Sequence, residues 1–247
     1  NGFGWDFGGS SNTDELNAIL SGNYMLRRKK DDVLKELPPK QRFLVPIEIK
    51  NDSEYYDVLN SDFDVEIERL QKLKRTAAIS KFEKAVEWLS EQIDSGNKIV
   101  VFAMHHDLID KIVSRFSDIC VKFDGRDSQK CREESVVKFQ TDESCRLFVG
   151  NVKAAGVGIT LTAASNVVFF EFDWVPGVNI QAEDRIHRIG QSESATCWYL
   201  VADGTIEEDI FSLLNSKKAV LDSILDGDDV SDKKLFWELA KKYCVKK

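Results

Sequence analysis

Five short apolar runs that alternate with helical patterns constrain the fold more than any other feature of this chain. They are Ile99–Ala103, Ile119–Phe123, Leu147–Gly150, Val167–Phe172 and Thr196–Val201. Each run is bounded by polar or glycine-containing turns, as expected of a strand that is buried on both faces. Such strands form a parallel sheet that helices cover on each side. The sequence therefore predicts an α/β fold whose working residues sit in loops at the carboxyl ends of the strands.

Helical patterns fill the gaps between these strands and extend beyond them in both directions. The predicted helices are Tyr24–Leu37, two within Ser53–Ser95, Asp107–Phe116, Ser128–Phe139, Val152–Val157, Val178–Arg188, Thr205–Leu225 and Lys233–Lys247. Pro38 and Pro39 end the first of them, because neither proline can continue a helix. The following segment, Arg42–Lys50, alternates enough to predict a further strand.

Composition excludes several classes of function. A chain of 247 residues, 43% of them hydrophobic, can bury one substantial core with room for a helical appendage. No apolar stretch approaches the length of about 18 residues that spans a bilayer, so we expect no membrane partner. The five cysteines are scattered without a Cys-x-x-Cys pair, which favours a reduced intracellular compartment. A net charge of −8 argues against a general polyanion binder, so any contact with nucleic acid needs a local patch.

Candidate ligand contacts follow the predicted strands. The residues in question are His105, Gly125, Arg126 and Lys153. Farther along, Gly156 and Gly158 would let the backbone approach a phosphate, with the hydroxyl of Thr160 beside them. Two glycines at this spacing are equally typical of a structural turn, and no third glycine completes a dinucleotide fingerprint. Taken alone, the segment leaves both interpretations open.

The histidines do not indicate a metal site. His105 and His106 are adjacent, and His187 is the only other histidine of the chain. No cysteine or carboxylate accompanies them at the spacing of metal ligands. We therefore expect no metal bound by these residues.

Two arginines three residues apart, Arg185 and Arg188, stand near the end of a predicted helix. On a helix both guanidinium groups would project from one face. A guanidinium group is planar, keeps its charge near neutral pH and can donate two hydrogen bonds at once, so a pair of them suits a polyphosphate ligand. The alternative is a surface helix with solvated charges. No Gly-x-x-x-x-Gly-Lys-Ser/Thr segment occurs, so the chain has finger-like arginines without a phosphate-cradling P-loop and resembles half of an active site.

An ordered series of segments closely resembles the motifs of Swi/Snf-type ATPases of helicase superfamily two. The matching segments are 25–40, 98–106, 123–126, 139–140, 156–165, 170–177 and 181–191. The last three resemble motifs V and VI, and the first is similar to the segment that links the two lobes of these enzymes. Residues 174–185 look most like the HARP-type annealing helicases. The chain departs from the family pattern at Val175, where asparagine is common, and at Arg126, where a small hydroxyl residue is common.

The resemblance implies a RecA-like three-layer αβα lobe with a parallel sheet and helical extensions at both ends. Residues 1–50 would form the tail of the first lobe and the linker, and residues 51–97 a helical segment leading into the second lobe. Residues 98–204 would form that lobe, and residues 205–247 a C-terminal helical extension. The implied activity is ATP-driven translocation on double-stranded or forked DNA by a nuclear, monomeric protein.

The resemblance also assigns roles to single residues. Arg185 and Arg188 would be catalytic fingers on ATP, whose Mg²⁺ and phosphates are held mainly by a first lobe absent from this chain. The residues implied to bind the nucleotide are Gly156, Gly158, Gln181, Arg185 and Arg188. Those implied to contact DNA are His105, Gly125, Arg126, Lys153, Gly158 and Thr160. Trp174 would couple ATP turnover to movement on DNA.

Two functions from different classes remain open. One is the catalytic lobe of a DNA-dependent ATPase, which is inert without its partner lobe. The other is a docking module for DNA or protein that hydrolyses no nucleotide. The pair Arg185 and Arg188 favours the first, because a docking module needs neither. A free-standing Rossmann-type enzyme is excluded for want of a complete cofactor loop.

Overall fold

The computed structural model describes residues 15, 18–19, 22–24, 30–49, 53–61, 66–155, 158–215 and 242–243. Within them the strands are β1 (Lys40–Ile47), β2 (Ile99–Ala103), β3 (Cys120–Phe123), β4 (Leu147–Asn151), β5 (Asn166–Phe169) and β6 (Ala195–Ala202). They form one sheet in the order β1-β6-β5-β2-β4-β3. Every neighbouring pair runs parallel, so the predicted parallel α/β fold is confirmed.

Helices connect the strands and cover both faces of the sheet. They are α1 (Lys30–Val33), α2 (Ser53–Asn60), α3 (Glu66–Ser80), α4 (Phe82–Asp94), α5 (His106–Arg115), α6 (Gln129–Thr141), α7 (Val152–Ala155), α8 (Pro176–Glu183) and α9 (206–215). Local chemistry sets several of their starts. The Ser128 side chain accepts a hydrogen bond from the Cys131 N–H at the start of α6. Pro176 occupies the first turn of α8, where its missing N–H costs nothing.

The central strand shows why the core has two halves. All five residues of β2 are buried, and alternate side chains enter opposite layers. Val100 and Phe102 pack in one apolar cluster with α3 and α9. Ile99 and Val101 pack in the other cluster with α4 and α5. The sheet is therefore the middle of three layers, as predicted.

The edge strand β1 differs from its prediction in position and in neighbours. It covers Lys40–Ile47 rather than Arg42–Lys50, and it pairs with β6 along its whole length. Residues 40–47 are thus part of the sheet, although the sequence suggests a linker over 1–50. Pro46 is tolerated in β1 because proline has no N–H group to donate, and on an edge strand half of the N–H groups need no partner in the sheet.

Helix boundaries also differ from the predicted ones. The segment Ser53–Ser95 holds three helices instead of two, since the chain turns at Ser61 and again at Lys81. The Lys81 side chain is fully buried, and its Nζ lies 2.6 Å from both the Leu200 carbonyl and a carboxylate oxygen of Glu207. This inward lysine fixes the junction of α3 and α4 against the sheet. The first predicted helix stops at Val33, four residues early.

The predicted helix from Thr205 is present as α9 up to residue 215. The remainder of that prediction, residues 216–225, and most of the predicted helix Lys233–Lys247 lie outside the described residues. Lys242 and Tyr243 are described, and both contact the Asp209 side chain of α9 at 2.7 and 2.5 Å. In the described part of the chain, no helix combines the length and the apolar character needed to cross a bilayer.

Candidate functional site

The loops that follow β2 and β5 are joined by one buried carboxylate. Glu171 is fully buried, and its Oε2 accepts hydrogen bonds from the backbone N–H groups of Met104 and His105 at 2.8 and 2.9 Å. The other oxygen, Oε1, lies 2.6 Å from the Nδ1 of His105. Burial would raise the pKa of Glu171, but the hydrogen bonds and the charge of His105 outweigh it and lower that pKa. Glu171 therefore fixes the backbone and the ring of the predicted DNA contact His105.

Lys153 lies on the same edge of the sheet. Its Nζ is 3.3 Å from the Oδ2 of Asp173, and its side chain remains two-thirds exposed. Asn151 fixes the turn before it, because its Oδ1 accepts from the Lys153 N–H and its Nδ2 donates to the Met104 carbonyl. The loops after β2, β4 and β5 thus form one connected surface, which presents the ammonium group of Lys153.

Trp174 borders this surface and is half-buried. The Nζ of Lys74 lies 5.5 Å from the centre of its ring and also contacts the Phe172 carbonyl. Burial lowers the pKa of Lys74. A cleft of about 400 Å³ opens here, and its walls include Lys74, His105, Lys153 and Trp174. Three predicted site residues, His105, Lys153 and Trp174, therefore meet in one cleft. Lys74 joins them there, although the sequence does not indicate it.

Gly125 and Arg126 do not border that cleft. The Arg126 guanidinium binds two carboxylates instead, with Nη2 at 2.6 Å from Asp124 and 2.8 Å from Asp110. Burial opposes ionisation of Asp124, yet the Arg126 hydrogen bonds and His106 hold its pKa at about 2. Arg126 therefore binds two carboxylates near its own loop, whereas the sequence predicts that it contacts DNA. Gly125 is exposed, with open space where a side chain would extend.

The segment with Gly158 and Thr160 forms a connecting loop, residues 158–165. It follows α7 at the carboxyl edge of the sheet and ends at the amino end of β5. Gly158 is exposed with φ +78°, a conformation that glycine adopts readily, and Thr160 is half-buried. A second cleft of about 660 Å³ lies between this loop and α6. Gly156 lies outside the described residues, so its predicted nucleotide contact stays a prediction.

The two arginines are not on a helix, contrary to the prediction. Helix α8 ends at Glu183, and Arg185 and Arg188 lie in what we call the arginine turn, residues 184–190. The backbone tightens there, because the Arg185 N–H donates to the Ala182 carbonyl, three residues back. The turn lies at the amino end of β1 and not at the carboxyl ends of the strands. His187 Nε2 of the turn lies 2.8 Å from the carbonyl of Pro38, which precedes β1 by two residues.

The arginine turn and the connecting loop are hydrogen-bonded to each other. Arg185 Nη1 donates to the Ile159 carbonyl at 3.2 Å, and the Leu161 N–H donates to the Arg185 carbonyl at 2.9 Å. Arg185 Nε also donates to the Gln181 carbonyl at 2.9 Å. Arg185 is half-buried, whereas Arg188 and Gln181 are exposed. Burial and then the positive charge of Arg188 lower the pKa of Arg185, so the two guanidinium groups are electrostatic neighbours.

A buried charge cluster stands directly before the arginine turn. Glu183 is fully buried, and Arg42 binds it with two hydrogen bonds of 2.5 and 2.6 Å. The Tyr199 hydroxyl donates to it at 2.8 Å, and Lys40 Nζ lies 2.9 Å away. Lys40 and Arg42 are two residues apart and therefore share one face of β1, which is the only signal in the sequence for this cluster.

No metal site is present in the part of the chain that the structure describes. There, no three histidine, cysteine, aspartate or glutamate side chains gather closely enough to hold an ion. Lys40 and Arg42 instead pair with the buried carboxylate of Glu183, and Arg126 pairs with that of Asp124.

Comparison with known proteins shows which proteins this chain resembles. Residues 80–190 match the family of helicase conserved C-terminal domains. A SWI/SNF-related matrix-associated actin-dependent regulator of chromatin, subfamily A-like protein 1, from Drosophila melanogaster is 36% identical over 90% of this chain and 31% of its own length. The human DNA annealing helicase and endonuclease ZRANB3 is 35% identical over 90% of this chain and 22% of its length. The chain thus spans about a third or less of these two relatives.

Two solved structures share the fold. The Sulfolobus solfataricus SWI2/SNF2 ATPase core in complex with double-stranded DNA superposes with a TM-score of 0.62 and 29% identity, over 93% of this chain and 55% of that one. The C-terminal part of the Fun30 ATPase domain reaches a TM-score of 0.64 at 17% identity, over 83% and 98% of the two chains. Together with the relatives, they confirm the predicted RecA-like lobe. Residues 80–190 therefore form a helicase conserved C-terminal domain, and the chain as a whole is similar to the C-terminal lobe of SWI/SNF-type helicases.

Proposed function

We propose that this lobe works in an ATP-dependent translocase on double-stranded DNA and supplies Arg185 and Arg188 as fingers to ATP. The observation that carries the proposal is the pair of hydrogen bonds between Arg185 and the connecting loop, at Ile159 and Leu161. That loop begins at the carboxyl edge of the sheet and ends beside the arginine turn. In this proposal, a displacement of the loop reaches the arginine turn through these two hydrogen bonds.

The arginine turn suits phosphate chemistry. Arg188 is exposed, and no described residue pairs with its guanidinium, so its donors are available to a ligand. Rigid donors brought to the transferring phosphoryl group stabilise the charge of the transition state. Bound ATP with Mg²⁺ would supply the phosphoryl group for hydrolysis. The proposal assigns Mg²⁺ to the first lobe and Gln181 to the nucleotide on this one, and the nucleotide contact of Gly156 stays a prediction from the sequence.

The DNA surface in this proposal is the carboxyl edge of the sheet. His105 and Lys153 face the cleft bordered by Trp174, whereas Gly158 and Thr160 begin the connecting loop and line the second cleft. Contacts from one lysine, one histidine and backbone groups suit the phosphate backbone and read no base sequence. The archaeal ATPase core was solved in complex with double-stranded DNA, which supports the same class of ligand here. Arg126 would join them only after leaving its two carboxylates.

Further features of the proposal follow from the relatives. Their names refer to chromatin and to DNA annealing, so we place the protein in the nucleus, on double-stranded or forked DNA. The first RecA-like lobe is the partner that completes the ATP site. We expect one copy of the protein to suffice, because both lobes would lie in one polypeptide.

The alternative is a docking module that binds DNA or protein without hydrolysing nucleotide. Steady-state ATP hydrolysis separates the two functions. The full-length protein should hydrolyse ATP faster when double-stranded DNA is added, and residues 1–247 alone should show no DNA-stimulated hydrolysis. Full-length protein that binds DNA but hydrolyses no ATP would support the docking module and contradict our proposal.

A further inference from the structure

We propose that Lys40 and Arg42 are positioning residues that set the place of the arginine turn through a latch. The latch consists of Lys40, Arg42, Tyr199, Glu183 and Asp184. It rests on the proposed function, because its purpose is to hold Arg185 and Arg188 where they meet ATP. None of the latch residues contacts the nucleotide in this proposal.

The centre of the latch is the carboxylate of Glu183. Its Oε1 accepts from Arg42 Nε at 2.5 Å and from the Tyr199 hydroxyl at 2.8 Å, and its Oε2 accepts from Arg42 Nη2 at 2.6 Å. Burial would raise the pKa of Glu183, yet the Arg42 hydrogen bonds and the charge of Lys40 lower it. The carboxylate is therefore ionised and fixed from three directions. A planar guanidinium bound through two atoms also fixes the orientation of its partner.

Contacts of the next residues extend this restraint into the turn itself. Lys40 Nζ lies 3.0 Å from Asp184, and Lys30 Nζ lies 2.7 Å from the same side chain. Lys30 also donates to the His187 carbonyl at 3.2 Å. The backbone on both sides of Arg185 is thus tied to the segment that contains α1 and β1.

The arginine turn is held from two sides. The latch and the neighbouring residues Lys30 and Pro38 hold it on one side, and the connecting loop binds Arg185 on the other. Stability alone does not require the ion pairs of Lys40 and Arg42 with Glu183, since well-packed apolar residues often stabilise a protein as well as a buried ion pair does. What the ion pairs add is a defined geometry. Displacement of a reacting group by about 1 Å can cost about 100-fold in rate, so geometry at this place sets turnover.

The test uses the full-length protein and the variants Arg42→Met and Arg42→Lys. Lys84→Met is the matched control, because it removes a lysine ion pair with Glu87 that is exposed and far from the turn. DNA-stimulated turnover, the KM for ATP and the thermal midpoint are measured for each. We expect Arg42→Met to lower turnover about 100-fold and to change KM less than about threefold. Arg42→Lys should recover only part of the rate, because an ammonium group cannot bind both oxygens in one plane.

A second background separates positioning from a general loss of structure. If Arg42 acts through the arginine turn, Arg42→Met should lower the residual rate by less than about threefold when Arg185 and Arg188 are both already alanine. A purely structural effect would instead multiply with that of the double alanine variant. If Arg42→Met does not fold, the double variant Arg42→Met, Glu183→Gln removes the unpaired buried charge and carries the same kinetic expectation.

Three results would overturn the latch. The first is that Arg42→Met matches Lys84→Met in turnover. The second is that it raises KM as much as it lowers turnover. The third is that its effect multiplies fully with that of the double variant Arg185→Ala, Arg188→Ala. If Arg185→Ala lowers turnover and Arg42→Met does not, the latch fails while the proposed function stands. If Arg185→Ala itself leaves turnover unchanged, both fail.

Discussion

Replacement of Lys81 by methionine should destabilise the lobe strongly, although Lys81 is not among the residues that line the cleft beside Trp174. Lys81 and Glu207 are both fully buried, and Lys81 Nζ lies 2.6 Å from Glu207 Oε2. The same oxygen accepts the Ala202 N–H at 2.8 Å, whereas Oε1 is buried without a hydrogen-bond partner among the described residues. Methionine fills most of the volume of lysine but leaves the carboxylate without its cation.

The expected magnitude follows from that geometry. Removal of one partner from a buried ion pair costs about 3 to 5 kcal/mol, because the other charge stays desolvated and uncompensated. Glu207 already has an unsatisfied oxygen, so we expect a value in the upper half of that range. For a domain of this size, 1 kcal/mol corresponds to a shift of about 2 to 4 °C in the thermal midpoint. The midpoint should therefore fall by about 8 to 20 °C.

The assay is thermal unfolding followed by circular dichroism, with urea titration to give the free energy of unfolding. The double variant Lys81→Met, Glu207→Gln should recover most of the loss, since it removes both charges and keeps an acceptor for Ala202. Lys84→Met should leave the midpoint unchanged, because its ion pair is exposed. A single variant as stable as Lys84→Met would refute the reasoning. So would a double variant that is less stable than the single one.

Two further predictions concern the cleft and the response to acid. Trp174→Ala should lower the free energy of unfolding by less than the value of about 3 to 5 kcal/mol that a fully buried tryptophan costs, because Trp174 is half-exposed. The full-length variant should also consume more ATP per base pair travelled. Normal translocation per ATP, measured together with hydrolysis, would contradict the coupling role. The pKa values of Glu171, Glu183 and Asp184 are lowered and that of Asp124 is about 2, so the unfolded chain binds more protons than the folded one as the pH falls. The free energy of unfolding should be constant above about pH 5 and decrease from about pH 4.3 downward. Glu183→Gln should make that decrease smaller in unfolding experiments between pH 7 and 3. A free energy of unfolding that rises on acidification would exclude this explanation.

The five strands between residues 99 and 201 were predictable because burial on both faces leaves an apolar run with sharp ends. The end of β5 illustrates the limit of that signal. The apolar run predicts a strand up to Phe172, but β5 ends at Phe169, and Phe170 and Phe172 are fully buried beyond it. An apolar run reports burial, and hydrogen bonding decides where the strand ends. The membership of β1 in the sheet rests on pairing with β6, about 155 residues away, which no local pattern shows.

The site was predictable in its residue types and less so in its geometry. The spacing of Arg185 and Arg188 predicts one helix face, whereas Glu183 is bound by Arg42, far away in the sequence, and the helix ends there. Long-range ion pairs of this kind override helical periodicity. Arg126 shows the same limit, because its two carboxylate partners make an apparently free cation part of its loop. The basic residues at the carboxyl edge, such as Lys153, were found because loops after parallel strands meet there.

The central claim is that the arginine turn acts on ATP in the transition state. The most direct measurement is single-turnover ATP hydrolysis by the full-length protein with Arg188→Ala, alongside nucleotide affinity and with Lys84→Met as control. Loss of a finger arginine should lower the rate of hydrolysis by about 1000-fold or more and change the nucleotide Kd far less. An unchanged rate, or a fall in rate explained entirely by weaker nucleotide binding, would contradict the account.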